Sequence, residues 1–264
     1  MSAEVGRSGS YPGRLADFEA LSFDCYGTLI DWETGILTLL RPWARSRGLT
    51  MDDEALLGTY AGEEARAERE HPDEPYPAIL ARSFRAVGAR LGAEVTDADA
   101  AALAASVPDW PAFGDSAAAL AELGRHYELI VLSNVDRRSF AASSARLGVS
   151  FAAVVTAEEV GSYKPAQANF DALLGTLAGL HISGGKLLHV AQSLFHDHVP
   201  AKKAGLPTVW INRRHGQDGW GATPPPAAPV QPDWEFPSMA AFAAAVAAQA
   251  GPDGPPAGPD GPPG

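Results

Sequence analysis

Four polar points in this chain of 264 residues have the residue types of a small acid-and-ammonium site: Asp24, Ser133 with Asn134, Lys164 and Asp197. A carboxylate that is partly desolvated beside a ligand crevice suits a nucleophile, and Asp24 directly follows the apolar run around Leu21 and Phe23. Gly27 lets the backbone bend close to a ligand. Thr28 is placed to hydrogen-bond Asp24 or its substrate. Ser133 and Asn134 offer a hydroxyl, an amide and backbone donors, which suit a bound carboxylate or phosphate. Lys164 lies in Ser-Tyr-Lys-Pro. An ammonium within ~4–6 Å of Asp24 would keep it ionised. Each residue also has a plainer reading. Asp24 begins a turn, Asn134 ends a strand, Lys164 is solvated, and Asp197 caps a helix ahead of Val199 and Pro200. Their common position decides for a shared site: all fall at the ends of expected strands or in the loops just beyond, where open α/β sheets bind ligands.

The elements that must carry them follow from periodicity. Leu21 and Phe23 alternate with Ser22 and Asp24, the outline of a strand ending in a turn. From Asp31 to about Pro108 the pattern is helical. One helix runs through Ile36, Leu40 and Trp43, and a second from Asp52 to Arg69. A third runs through Ile79, Phe84 and Val87 to Gly88 or Gly92, and a short fourth is capped by Thr96. From Trp110 helices alternate with strands at Tyr127–Leu132, Phe151–Val155, Leu187–Ala191 and Pro207–Ile211, the rhythm of a parallel sheet with crossover helices. Residues 214–237, rich in Gly and Pro, read as an extended loop, and Ser238 opens a last helix through about Ala248.

Asp24-Cys25-Tyr26-Gly27-Thr28-Leu29 resembles the first motif of the haloacid dehalogenase (HAD) superfamily. Ser133-Asn134 resembles its second motif and Tyr163-Lys164-Pro165 its third. The resemblance implies an α/β fold: a Rossmann-like parallel-sheet core in residues 17–33 and 109–248, with an inserted helical cap domain in residues 34–108. Composition gives a disordered leader in 1–16 and a disordered Gly/Pro tail in 249–264. The resemblance also implies roles, with Asp24 as the nucleophile, Lys164 neutralising it, and Asp197 activating water. Phosphatases of the superfamily carry a second Asp two positions after the first, as general acid; here Tyr26 stands there. They carry Gly-Asp after the fourth strand, where this chain has Ala191-Gln192. The Tyr26 pattern is closer to the type II 2-haloacid dehalogenase branch, and with Gln192 two of the usual phosphatase carboxylates are missing. The expected activity is therefore hydrolysis of carbon–halide bonds of short 2-haloalkanoates through an aspartyl ester. Tyr26, Thr28, Ser133 and Asn134 would contact the substrate, with no metal and no cofactor. Two alternatives stay open: a phosphatase using Mg²⁺ held by Asp24, the Tyr26 carbonyl and Asp197, and a catalytically silent ligand-binding protein. Gln192, Leu194 and Phe170 depart from the known dehalogenases at positions that orient substrate and water.

Composition narrows the partners. A net charge of −12 without a long basic run argues against nucleic acid and anionic membrane surfaces. With 46% hydrophobic residues the chain is long enough for a sizeable core. The single cysteine, Cys25, allows no internal disulfide and no cysteine-based zinc site. No stretch reads as a signal peptide or a membrane span. The expectation is a cytoplasmic enzyme acting on a small molecule, compatible with a homodimer. Within the helical insert, Arg66 and Arg69 with Glu63, Glu64 and Glu68 read as a solvated face of i,i+4 pairs, with one arginine free to close over a halide or carboxylate. His196 and His198 read as surface residues or as supports for neighbouring groups.

Overall fold

A computed structural model describes residues 13–250. Its sheet has six parallel strands in the order β3-β2-β1-β4-β5-β6. They are β1 (Ala20–Phe23), β2 (Glu128–Ser133), β3 (Ala153–Thr156), β4 (Leu187–Ala191), β5 (Thr208–Ile211) and β6 (Trp234–Phe236). β1 lies between β2 and β4, so the chain after β1 emerges at the point where strand order reverses. All four residues of β1 are buried. Interior parallel strands are covered on both faces, so its polar residue is buried with the apolar ones. Ser22 is satisfied there by its register partner His189 on β4.

Helices α1 (Trp32–Ser46), α2 (Asp53–Glu70), α3 (Tyr76–Leu91) and α4 (Asp97–Ala104) form the run between β1 and the rest of the sheet. Their limits come from ordinary local chemistry. Asp31 caps α1 and Asp52 caps α2 through side-chain oxygens. Thr96 and Asp99 form a reciprocal capping box on α4, and Gly92 ends α3 in the left-handed region at φ 66°. Buried Leu40, Leu57, Ile79, Leu80 and Phe84 hold the layer together. It is locked to the sheet by Trp110, which fills a notch at Gly35: a Cβ there would lie 2.3 Å from the indole. The same ring stands edge-on to Tyr26 at 5.5 Å.

The remaining helices are α5 (Ser116–Leu123), α6 (Arg137–Leu147), α7 (Ala157–Val160), α8 (Gln167–Gly179), α9 (Val199–Lys203) and α10 (Met239–Ala250). Among the described residues no helix is long and apolar enough to cross a membrane.

Three expectations are corrected. Residues 214–237 are not simply a loop, because Trp234–Phe236 adds β6 to the sheet beside β5. The rest of that segment straps the helical layer to the sheet. Arg214 pairs with Glu33 of α1 and Glu54 of α2, and the Trp220, Gly221 and Ala222 amides bond the same two carboxylates. The leader does not extend to residue 16: Leu15 is buried in the core, and its amide bonds Gln249. For the same reason the tail does not begin at 249, since α10 continues to Ala250. The expectations for residues 1–12 and 251–264 lie outside the described residues.

Candidate active site

The turn after β1 presents Asp24. Gly27 takes φ 94° in that turn, a conformation in which a side chain would be strained. Arg213 fixes the turn from outside, its guanidinium donating to the Thr28 carbonyl at 2.8 and 3.1 Å while paired with Asp115. The Thr28 hydroxyl donates to Asp24 Oδ2 at 2.6 Å and accepts the Gln192 amide at 2.9 Å. One side chain thus links the ends of β1 and β4.

Lys164, in the loop after α7, reaches back under the sheet edge and is almost wholly buried. Its ammonium donates to Asp24 Oδ1 at 2.8 Å, Asp197 Oδ1 at 2.7 Å and the Leu132 carbonyl at 3.0 Å. All three of its protons are therefore used. Asp197 does not cap a helix; Ser193 does, accepting the His196 amide. Leu194–His198 is instead a π-helical turn, a form that recurs at functional sites. It drives Asp197 inward, where Oδ1 takes hydrogen bonds from Lys164 and from His189 Nε2 at 3.1 Å. Because a carboxylate only accepts, the His189 ring must donate from Nε2. Its Nδ1 shares a hydrogen bond with Ser22 at 2.9 Å. Asp197 Oδ2 is buried with no hydrogen-bond partner.

One ammonium between two carboxylates divides them electrostatically. Burial would raise Asp197, but Lys164 and His189 outweigh it and hold its carboxyl well below the usual range. Burial raises Asp24, and although Lys164 opposes this, the negative Asp197 adds to it and the net shift is upward. Lys164 stands at the expected distance and favours the ionised form of Asp24, opposing burial and the charge of Asp197. Lys164 itself is raised, since the attraction of Asp197 and Asp24 exceeds its desolvation. Burial and the charge of Asp24 push the Cys25 thiol far up, which leaves it inert beside the site.

These groups border a cavity of about 30 Å³. The sheet side contributes Asp24, Tyr26, Asn134, Lys164 and Asp197, with Ser193 and His196. The helical layer and its strap contribute Trp32, Glu64, Glu68, Tyr76 and Thr223. Asn134 lines the cavity, but its amide is spent on protein partners. It donates to Glu68 and to the Lys164 carbonyl, both at 3.1 Å, and accepts the Lys164 amide at 2.7 Å. Ser133 is buried with its hydroxyl unpartnered and does not border the cavity. The expected pair of anion-holding residues is thus a brace for Lys164 and a group set back from the cavity. Tyr26 lines the cavity by its ring, while its hydroxyl turns away to Ser143 at 2.8 Å.

The reading of α2 is reversed. Glu63, Glu64 and Glu68 are buried. Arg66 lies outside, half-exposed and paired with Glu63. Arg69 bonds the Ala65 carbonyl and does not border the cavity. Tyr60, Glu64 and Glu68 recur at helical spacing on one face with Leu57 and Ala61, a signal present in the sequence but masked by the habit of placing charge outward. Glu64 Oε1 accepts the Tyr60 and Tyr76 hydroxyls at 2.8 and 3.0 Å. Burial raises Glu64 to about 7. Burial, followed by the neighbouring Glu64, raises Glu68 well above the carboxylate range. His196 and His198 are not surface residues; burial lowers both imidazoles to about 4. His189 escaped sequence reasoning altogether, because nothing in Leu-Leu-His-Val-Ala marks its partner on β1.

Glu64 gives the protein a pH dependence with a definite sign. Its folded value lies above its unfolded one, so the folded state binds more protons between about pH 4.5 and 7. Stability therefore falls as pH rises across that window, by on the order of 3 kcal/mol at about 1.4 kcal/mol per unit. Glu64→Gln keeps the oxygen that accepts both tyrosines and removes this loss. Urea unfolding at pH 5 and pH 7.5 should show a shallower decline in the variant than in the wild type; parallel declines would contradict the assignment.

No protein-family model matches the sequence, and no curated protein does. Solved structures do match. A defluorinating L-2-haloacid dehalogenase superposes with a TM-score of 0.68 at 20% identity, covering 89% of this chain and 98% of its own. The L-2-haloacid dehalogenase of Xanthobacter autotrophicus with chloropropionic acid covalently bound superposes with a TM-score of 0.67 at 18% identity, covering 87% and 98%. A magnesium-bound HAD hydrolase of Bacillus subtilis superposes with a TM-score of 0.61 at 17% identity, covering 80% and 94%. The fold is that of the haloacid dehalogenases.

Proposed function

We propose that this chain, built on the haloacid dehalogenase fold, is a hydrolase that works through an ester on Asp24. The observation that carries the reading is the buried Asp24–Lys164–Asp197 constellation at the cavity, with Asp24 held on one oxygen by Lys164 and on the other by Thr28. A carboxylate so fixed loses little freedom on reaching an attacking geometry.

In the first step an Asp24 oxygen attacks a carbon of the substrate. A carbon–oxygen bond forms, the bond to the leaving group breaks, and the leaving group departs with the electron pair. In the second step water attacks the Asp24 carboxyl carbon. One water proton ends on the departing alkoxide, and the other is released as Asp24 returns to its carboxylate. Asp197 is a weak base at its depressed value, so its part is to orient the water through the unpartnered Oδ2. Lys164 stabilises the charge that leaves and returns to Asp24.

Halide is the leaving group we favour. Tyr26 stands where a phosphatase has an acid to protonate a leaving oxygen, and its hydroxyl is turned away from the cavity. Magnesium does not suit the donor set: Lys164 already stands within hydrogen-bonding distance of both carboxylates such an ion would need. Gln192, at the place of a further carboxylate, is engaged with Thr223 and Trp210. The helical layer over the sheet edge serves as the cap that shields the ester from bulk water.

The test offers the protein both 2-chloropropionate enantiomers, 1-chloropropane and p-nitrophenyl phosphate, with and without Mg²⁺. Chloride release that is indifferent to chelator supports the reading. Phosphate release restored by Mg²⁺ overturns the choice of leaving group.

A further inference from the structure

The cavity that receives the substrate is acidic. Asp24, Asp197, Glu64 and Glu68 border it against the single ammonium of Lys164, and that ammonium has no free proton to offer. Among the described residues no arginine borders it; Arg66 pairs with Glu63, and Arg69 lines a neighbouring pocket with Glu68 and Lys164. Asn134 spends both of its donors internally. A substrate carboxylate would therefore meet the two aspartates, which outnumber the one ammonium, and no unengaged cation or amide, at a cost that buried like charges make large.

What the helical layer does offer is the complement of a cation. Glu64 and Glu68 are more than nine-tenths buried. One oxygen of each is engaged, Glu64 Oε1 by two tyrosines and Glu68 Oε1 by Asn134. The second oxygen of each has no hydrogen bond among the described residues; Glu68 Oε2 stands 3.9 Å from His196 Nε2. Trp32, Tyr26 and Tyr76 line the same cavity, and aromatic faces attract ammonium groups.

We infer that the non-reacting end of the substrate is a small cation, a protonated amine, held by Glu64 and Glu68 among the aromatic side chains while Asp24 attacks the other end. The inference rests on the hydrolase reading above and replaces the carboxylate end of a 2-haloalkanoate by an ammonium. The small cavity suits a head group of a few heavy atoms. In the empty site both glutamates resist ionisation. An arriving ammonium stabilises their charged forms, so binding releases protons and strengthens as pH rises. Both glutamates are faced by each other, by Tyr60 of their own helix, by Tyr76 of α3 and by Tyr163; Glu68 is also faced by His196 and the Lys164 ammonium. His196 is neutral above about pH 4, which leaves the glutamates to set the trend near neutrality.

The test is equilibrium binding of ethylammonium chloride and of sodium propionate, followed by NMR or calorimetry between pH 6 and 8. Ethylammonium should bind at least tenfold tighter than propionate at pH 8, weaken several-fold at pH 6, and lose at least tenfold in Glu64→Gln/Glu68→Gln. The double variant removes charge without changing shape, and an unchanged circular dichroism spectrum with a cooperative melt no lower than the wild type's establishes that it is folded. Propionate binding as tightly as ethylammonium, or a double variant that holds ethylammonium unchanged, would overturn the inference. The hydrolase reading fails separately. Absence of a covalent product on Asp24 would sink it while leaving glutamate-dependent binding of ethylammonium intact.

Discussion

Lys164→Met should destabilise the folded protein by about 3–5 kcal/mol near neutral pH and abolish turnover. The side chain is 1% exposed and holds two buried carboxylates at 2.7 and 2.8 Å. Removing one partner from a buried charge pair leaves uncompensated charge, which is the expensive case. Methionine fills nearly the same volume, so the loss is electrostatic rather than a cavity. The pH dependence identifies it. With Lys164 present, Asp197 is depressed below its unfolded value and contributes stability that is present above about pH 4 and lost only as pH falls through the lower folded value. Without Lys164 both carboxyls rise on burial and take up protons readily. The deficit measured by urea unfolding should be greatest at pH 7.5 and should shrink toward pH 5. A deficit that is constant across that range would mean that packing, not charge, is what Lys164 supplies.

Asp24→Asn should lower turnover by on the order of 10⁴ or more while leaving the protein at least as stable. An amide oxygen is a poor nucleophile, and loss of a covalent catalyst typically costs several orders of magnitude. The folded state tolerates the change because Asp24 is the carboxyl that burial and Asp197 disfavour. Neutralising it leaves Lys164 to Asp197 alone, and the asparagine oxygen still accepts from Lys164 or Thr28. Melting temperature and chloride release, measured on the same preparation, separate the two effects. A silent binding protein would give a different result, with ligand affinity unchanged and no turnover in either form.

The sequence made the sheet legible where strands are strongly apolar. β4 and α6 fall where periodicity places them, and Asp52, Asp31 and Thr96 cap the helices they precede. β6 was not legible because Trp-Glu-Phe is three residues long among glycines and prolines, and only its neighbour β5 makes it a strand. The meeting of Asp24 with Lys164 followed from strand ends. The sharing of one ammonium between Asp24 and Asp197 did not, because it depends on a π-helical turn that no spacing announces. Ser22 and His189 meet only through the register of two strands separated by most of the chain. The glutamates of α2 were misplaced for an energetic reason. Burying a carboxylate is costly, so charge on a helix is read as outward unless its partners are known, and Tyr76 and Asn134 come from elsewhere in the chain.

The central claim is that Asp24 becomes covalently joined to the substrate and is regenerated by water. Multiple turnovers in heavy-oxygen water, followed by mass spectrometry of the peptide containing Asp24, test it directly. The account predicts that the Asp24 carboxyl gains solvent oxygen, because water attacks its carbon. Product that carries the solvent oxygen from the first turnover, with an unlabelled Asp24, would contradict it.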